Sequence, residues 1–252
     1  MKHNSLVIFF LTLCLTLFIL SETLEAVAPQ TIGFKIGYNR NQLRGKEDGS
    51  DFQVIKLATN GLTMGLVGNI KILNWLYFQP EFLYQEKGGK YEVQVPLPVA
   101  IPGIQVNVVD TRHLEYLEIP LLLKVVLPLK WPVKPTLLTG LSAGFKLRGN
   151  LENNVNLEIL GQHLPYYKNE EISDQLNDIE LSYVLGGGLD FALGRSKLAE
   201  DQRFYCGLKA NKFTTTIPAS YFNNTGIPVP SDIIYALEAY NYVFSVSVSY
   251  LF

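Results

Sequence analysis

Cysteine is nearly absent from this 252-residue chain, with two in total, at Cys14 and Cys206. Cys14 lies inside an N-terminal apolar run, so only Cys206 belongs to the body of the protein and no disulfide framework is possible there. Histidine is also sparse, at His3, His113 and His163. Two histidines so far apart and one further cysteine match no metal-ligand spacing. Neither charge sign dominates: 21 basic residues meet 23 acidic ones, a formal net charge of −2. That balance carries no electrostatic footprint for nucleic acid. After residue 20 there is also no apolar run long enough for a membrane helix, which needs about 20 residues.

The chain starts with the short basic segment MKH and the apolar run LVIFFLTLCLTLFIL, followed by the polar stretch SETLEAVA. This is the layout of a secretory signal peptide, expected over residues 1–26 with cleavage after Ala26 or Ala28. Processing would remove Lys2, Glu22 and Glu25 and leave 20 basic against 21 acidic residues over 27–252.

In the remaining chain the dominant signal is alternation. Eight segments, 31–38, 61–72, 76–85, 116–127, 136–147, 180–193, 203–211 and 241–252, place apolar residues at every second position. Period two is the mark of a strand with two different faces. The intervening connections, 39–60, 73–75, 86–115, 128–135, 148–179, 194–202 and 212–240, are alternately long and short. A chain crossing a bilayer eight times has short turns on its starting side and long loops on the other. The reading is an all-β, eight-stranded antiparallel up-and-down transmembrane β-barrel, with both mature termini on the periplasmic side of an outer membrane.

A soluble eight-stranded barrel alternates too, with its apolar face inward. Here the second face is rich in glycine and serine, which suits the narrow lumen of an eight-stranded ring better than a solvated surface. That face also carries Lys35, Lys71, Lys124, Lys146, Arg203 and Lys209 against Glu81, Glu118, Glu180 and Asp190. A basic residue facing lipid near the midplane costs about 2–4 kcal/mol. The charged set, represented by Lys35, Glu81, Glu118, Lys124, Lys146, Asp190 and Lys209, is therefore expected to pair within the lumen as a plug. Pro80 and Pro120, inside strands, are expected to mark bulges or kinks.

The stretches GFKIGYN (33–39), FQPEFLYQEKGGKY (78–91), YLEIPLLLK (116–124) and LGGGLDF (185–191) resemble the outer-membrane β-barrel family that includes PorT, typical of Bacteroidetes. The resemblance implies an eight-stranded outer-membrane barrel, usually of unassigned role, with PorT itself linked to type IX secretion. The C-terminal alternation of Phe244, Val246, Val248, Tyr250 and Phe252 likewise resembles the signal read by the barrel assembly machinery. No cofactor or metal is indicated. The expected partners are the lipid bilayer, the assembly machinery and an extracellular protein or ligand bound by the long loops. Residues 90–110 alternate on both sides of a Pro-Gly pair and could form a hairpin that protrudes or packs on the other loops. A lipid-modifying enzyme using His113 or His163 is the rival reading, but no serine lies beside His113 in the sequence, and Ser142 and Ser182 fall on the lumen face.

Overall fold

A computed structural model describes residues 31–48, 53–95, 104–159, 162–222 and 232–252, so the expected signal peptide lies outside the described residues. Eight strands form the ring: β1 (Thr31–Asp48), β3 (Thr59–Lys71), β4 (Leu76–Val95), β5 (Ile104–Val126), β6 (Val133–Ile159), β8 (Ile179–Leu193), β9 (Ser196–Gly207) and β11 (Ile233–Leu251). Each pairs antiparallel with the next, and β11 returns to β1, from Gly33 opposite Leu251 to Asp48 opposite Ala236. Every ring strand therefore has a partner on both sides.

The connections 72–75, 127–132 and 194–195 are short and lie at the same rim as Thr31 and Phe252. Phe252 and Ile32 exchange two backbone hydrogen bonds of 2.9 and 3.2 Å there. Gly194 takes the tightest turn with φ +66, a conformation that glycine adopts without steric cost. At the far end three further strands each lie on one ring strand: β2 (Gln53–Leu57) on β4, β7 (Gln162–Glu171) on β6, and β10 (Asn211–Ile217) on β11.

The burial pattern is inverted relative to a soluble protein. On β1, Ile32, Phe34, Ile36 and Tyr38 are exposed, whereas Lys35 and Asn39 are buried. On β11, Val246, Val248 and Tyr250 are exposed, and Ser245, Ser247 and Ser249 are buried. The same inversion holds around the ring at Leu66, Phe82, Leu121, Leu141, Leu185 and Phe204. Trp75 and Trp131, the only tryptophans, stand exposed in two of the short turns at the rim where β11 ends. Rings at the edge of an apolar belt are what a membrane–water interface selects. Among the described residues no helix is long and apolar enough to cross a membrane; the crossing is made by strands.

Three details differ from the sequence-based expectation. Most of the residues expected in the long connections are strand: β4 runs on to Val95 and β5 begins at Ile104, the hairpin that the alternation of 90–110 offered, and β6 reaches Ile159. The third such connection holds β7 and only a single 3-10 turn at Ser173–Gln175. β9 starts at Ser196 and not at 203, because its outward residues Glu200 and Gln202 are polar and break the apolar alternation. By register they face Val248 and Val246 of β11, within the belt, and the Gln202 amide donates to Glu200 at 3.1 Å.

The prolines produce gaps without a slip. The β4–β5 ladder has Pro80 opposite Leu121 and resumes at Leu83 opposite Glu118, with spacing preserved. The actual register shift falls between Glu115 and Tyr116, where β6 inserts Leu147 between the partners Lys146 and Arg148.

Replacing Leu121, at the outward centre of β5, with arginine should lower folding stability by about 2–4 kcal/mol. Urea titration of folding into lipid vesicles measures this, and an unchanged midpoint would contradict the assignment of that face to lipid.

Candidate functional site

Inside the ring, apolar and ionic layers alternate. Nearest the terminal rim, Val67, Ala199 and Leu251 form a small apolar cluster. The first full ionic layer joins three strands. Lys35 Nζ lies 2.8 Å from Glu81 Oε1 and 3.0 Å from Asp201 Oδ2. Arg203 forms a two-pronged bridge to Glu81 at 2.7 and 2.9 Å and reaches Asp201 at 2.7 Å. The Gln79 amide donates to Glu81 as well. β4 and β9 stand on opposite sides of the eight-membered ring, so the Glu81–Arg203 bridge crosses the lumen.

Above it, Leu122, Leu138, Val184, Tyr205 and Val243 form an apolar layer. A second ionic layer follows, centred on Lys87. Its ammonium contacts Glu118 at 2.5 Å and Glu180 at 2.7 Å, and lies 4.8 Å over the Tyr116 ring. The Ser142 hydroxyl donates to Glu118, and the Asn241 amide donates to Glu180. Lys124 pairs with Asp190 at 2.7 Å closer to the terminal rim.

Past the second ionic layer the single eleven-stranded sheet splays into two layers: the ladders there join β2, β4, β5, β6 and β7 on one side and β1, β11 and β10 on the other. Between them lies the largest apolar cluster of the molecule, including Tyr91, Val93, Val108, Leu151 and Val155 from the first sheet and Leu43, Phe213, Ile217 and Leu237 from the second. Phe222 and the packed rings of Tyr166 and Tyr221, 4.9 Å apart, close it at one side. One ionic group is set within this core. Arg112 donates to Asp110 at 3.2 Å and to Thr215 at 3.0 Å, and its guanidinium stacks 4.9 Å from Tyr91 and 4.7 Å from Phe213. The far end is thus a sandwich with its own core, built on top of the ring.

The seams between the two sheets are bridged by side chains. On one side Gln175 acts as a strand segment towards β10: the Thr214 amide donates to its Oε1 at 2.9 Å, and its Nε2 donates to the Thr214 carbonyl at 3.5 Å. Asn177 bonds Ala210 and Asn211 beside it. On the other side Lys56 donates to the Gly45 carbonyl at 2.7 Å. Gly88 has φ +132, and a side chain there would strike the Arg112 carbonyl. It lies where β4 changes its partner from β3 to β2.

Of the seven charged residues expected to pair in the lumen, Lys35, Glu81, Glu118, Lys124 and Asp190 are buried within the ring. Lys146 and Lys209 lie elsewhere. Lys146 is half-buried at the bulge, where it binds the Ser173 carbonyl at 2.9 Å and Asp178 at 2.8 Å and so anchors the 3-10 segment. Lys209 is exposed in the break between β9 and β10, because the strand does not continue through it. The ionic layers also contain Lys87, Asp201, Asp110 and Arg112, which sequence reasoning did not single out. Their parity with Glu81, Arg203 and Glu118 was the available signal.

His113 is exposed on the outer face of β5, between Thr111 and Glu115 on that face. His163 lies in β7 opposite Glu158, with its side chain outside the described residues. Ser142 and Ser182 are buried in the lumen. Among the described residues no three His, Cys, Asp or Glu side chains gather as metal ligands would.

Removing one partner of a fully buried ion pair leaves the others uncompensated, at a cost of about 3–5 kcal/mol. Glu81→Gln should therefore shift the urea midpoint far more than Glu238→Gln, whose partner Lys212 is exposed. Exposed pairs contribute about 0–1 kcal/mol. Equal shifts would remove the central role given to the Glu81 layer.

Residues 29–212 match the family model of the outer membrane protein beta-barrel domain. No curated protein matches the chain. Among solved structures, the chain is similar to the outer membrane protein OprG of Pseudomonas aeruginosa, at 9% identity and TM-score 0.39, covering 87% of this chain and 95% of that one. It is similar to the outer membrane protease OmpT of Escherichia coli at 11% identity and TM-score 0.39, covering 90% and 99%. For Ail, the attachment invasion locus protein of Yersinia pestis, the values are 12% identity, TM-score 0.31, and coverage of 88% and 98%. With the closed ring, the inverted belt and a family match over most of its length, the chain belongs to the outer membrane protein beta-barrel family and is a protein of the outer membrane.

Proposed function

We propose that this barrel is a non-enzymatic display scaffold with a plugged lumen. In this reading residues 1–26 are a signal peptide, both mature termini are periplasmic, and the far-end sandwich stands outside the cell, where it binds a protein partner or ligand. The observation that carries the proposal is the apolar core shared by the two far-end sheets. A core of that size beyond the lipid belt makes a rigid platform, and a flexible fringe of loops would have no use for one. The ion pairs crossing the ring support the plug, since a conducting lumen would need a continuous hydrated path between them. Phe244, Val246, Val248, Tyr250 and Phe252, on the outward parity of β11, would then carry the assembly signal. The finer PorT-like alternative, with a role in type IX secretion, rests on the resemblance of 78–91 and 116–124.

Two measurements test the reading. In a Cys206→Ser background, a membrane-impermeant maleimide applied to intact cells should label Ile55→Cys, exposed on β2, and spare Trp131→Cys, exposed in a short turn. The reverse pattern would overturn the orientation. In planar bilayers the wild-type protein should show no steady unitary conductance, and regular channel openings would refute the plug. For the rival enzymatic reading, expression of the protein should leave the lipid A mass profile unaltered. A modified lipid A that disappears in His113→Ala would establish the enzyme instead.

A further inference from the structure

We infer that the terminal rim of the lumen is a binding site for multivalent anions of the polyphosphate type. The ionic layers deeper in the ring are close to balance. Lys35 and Arg203 face Glu81 and Asp201, Lys87 faces Glu118 and Glu180, and Arg112 faces Asp110. The rim is different. Lys71, Lys124, Lys134 and Lys197 all fall on the lumen parity of their strands; among the described residues Asp190 lies beside them on that parity, and Asp201, already bound by Lys35 and Arg203, lies one step deeper within the field of Lys124. By register Lys71 lies opposite Tyr77, Tyr77 opposite Lys124, and Lys134 opposite Asp190, so the groups form one continuous patch. Lys197 is placed from across the ring. β9 stands opposite β4, yet its ammonium lies 5.6 Å from the centroid of the Tyr77 ring. It also lies in the field of Asp190 and, of the same sign as itself, Lys124, Lys134 and Lys71.

This arrangement favours a multivalent ligand over a simple ion. Lys124 already has Asp190 at 2.7 Å, so a monovalent anion would compete with a neutralised site. The remaining lysines come from β3, β6 and β9, around the circumference, and an anion that engages them together must carry several separated charges. Lys71 and Lys134 are exposed and Lys197 is half-buried, so the patch is reachable from the aqueous side. Lys130 and Arg195, in the adjoining turns, add charge of the same sign. The shared chemistry is the phosphate group, which could come from a soluble polyanion or from phospholipid headgroups at the rim.

The test uses the whole mature protein in nanodiscs of zwitterionic lipid, titrated calorimetrically with inorganic tripolyphosphate. Saturable binding is expected, weakened about tenfold in the double variant Lys71→Gln/Lys134→Gln, a loss of about 1.4 kcal/mol. Lys212→Gln, at the far end, should leave it unchanged. In a second arm, native mass spectrometry measures retention of phosphatidylglycerol against phosphatidylcholine by wild type and double variant. Variant-sensitive binding in the first arm identifies a soluble source, and in the second a lipid source. Absence of saturable binding in both arms, or binding that the double variant does not weaken while its urea midpoint stays at the wild-type value, overturns the inference. Both substituted side chains are exposed, so loss of folding is not expected to obscure the result.

Discussion

Hydrocarbon offers a backbone amide or carbonyl no water to bind, and an unpaired group there costs several kcal/mol. The pairing of β1 with β11 answers that constraint, because it removes the only two edges an eight-stranded sheet would otherwise leave in lipid. Much else follows from closure. A ring of eight encloses a space that side chains must fill. The inward positions are therefore held by glycine and serine where strands approach closely, and by long charged side chains where they must reach across. The outward positions are free to be uniformly apolar. Beyond the belt the constraint lapses, and there the ring opens into two sheets. The edges released at the seams are met by Gln175 and Lys56, which is sufficient in water and would not be in lipid.

The lumen shows how such a space is filled without an ordinary core. Each buried ion carries a desolvation cost of several kcal/mol, and Coulomb attraction offsets it only where the geometry is good and the remaining lone pairs are bonded. Glu81 meets both conditions, with Arg203, Lys35 and Gln79 all donating to it. An apolar filling could well be as stable. Ion pairs supply something that leucines do not: a fixed register between strands far apart in sequence. A slip of one residue in β4 would turn Glu81 to lipid and leave Arg203 and Lys35 with Asp201 as their one shared carboxylate. The apolar layers between the ionic ones keep water from bridging them, which strengthens each pair.

How much of this the sequence disclosed depends on which physical signal each part leaves. The belt strands were legible because Ile32, Phe34, Ile36 and Tyr38 alternate with Thr31, Gly33, Lys35 and Gly37, and the small and charged residues of the second face told lipid-facing alternation from that of a soluble barrel. The start of β9 was hidden because Glu200 and Gln202 are polar on the lipid side. The far-end strands were hidden for another reason. Once both faces of a strand leave lipid, its outward face turns polar, and 150–155 resembles loop, whereas the alternation of 90–110 did offer the extension of β4 and β5. Lys87 and Asp201 were within reach, since they continue the parity of Glu81 and Arg203, but the strands had been ended too early to include them. Lys209 has the right parity and the wrong place, because β9 breaks at 208–210. Long-range pairings such as Lys87 with Glu180 leave no local trace.

The two ends of the molecule are chemically unlike, and the filled lumen keeps them apart. The far end finishes in an apolar core in which Arg112 has both a carboxylate and two aromatic rings. The terminal rim finishes in lysines that outnumber their carboxylates. In an open pore such a difference would create a field along a conducting path. Here the Glu81 and Lys87 layers stand between, so a ligand at one end could influence the other only by shifting strands against one another. Closure opposes such shifts, because every strand is hydrogen-bonded on both sides and moving one moves the whole ring. In the proposed reading the ends therefore act separately, each through its own surface, and the barrel between them holds those surfaces on opposite faces of the membrane.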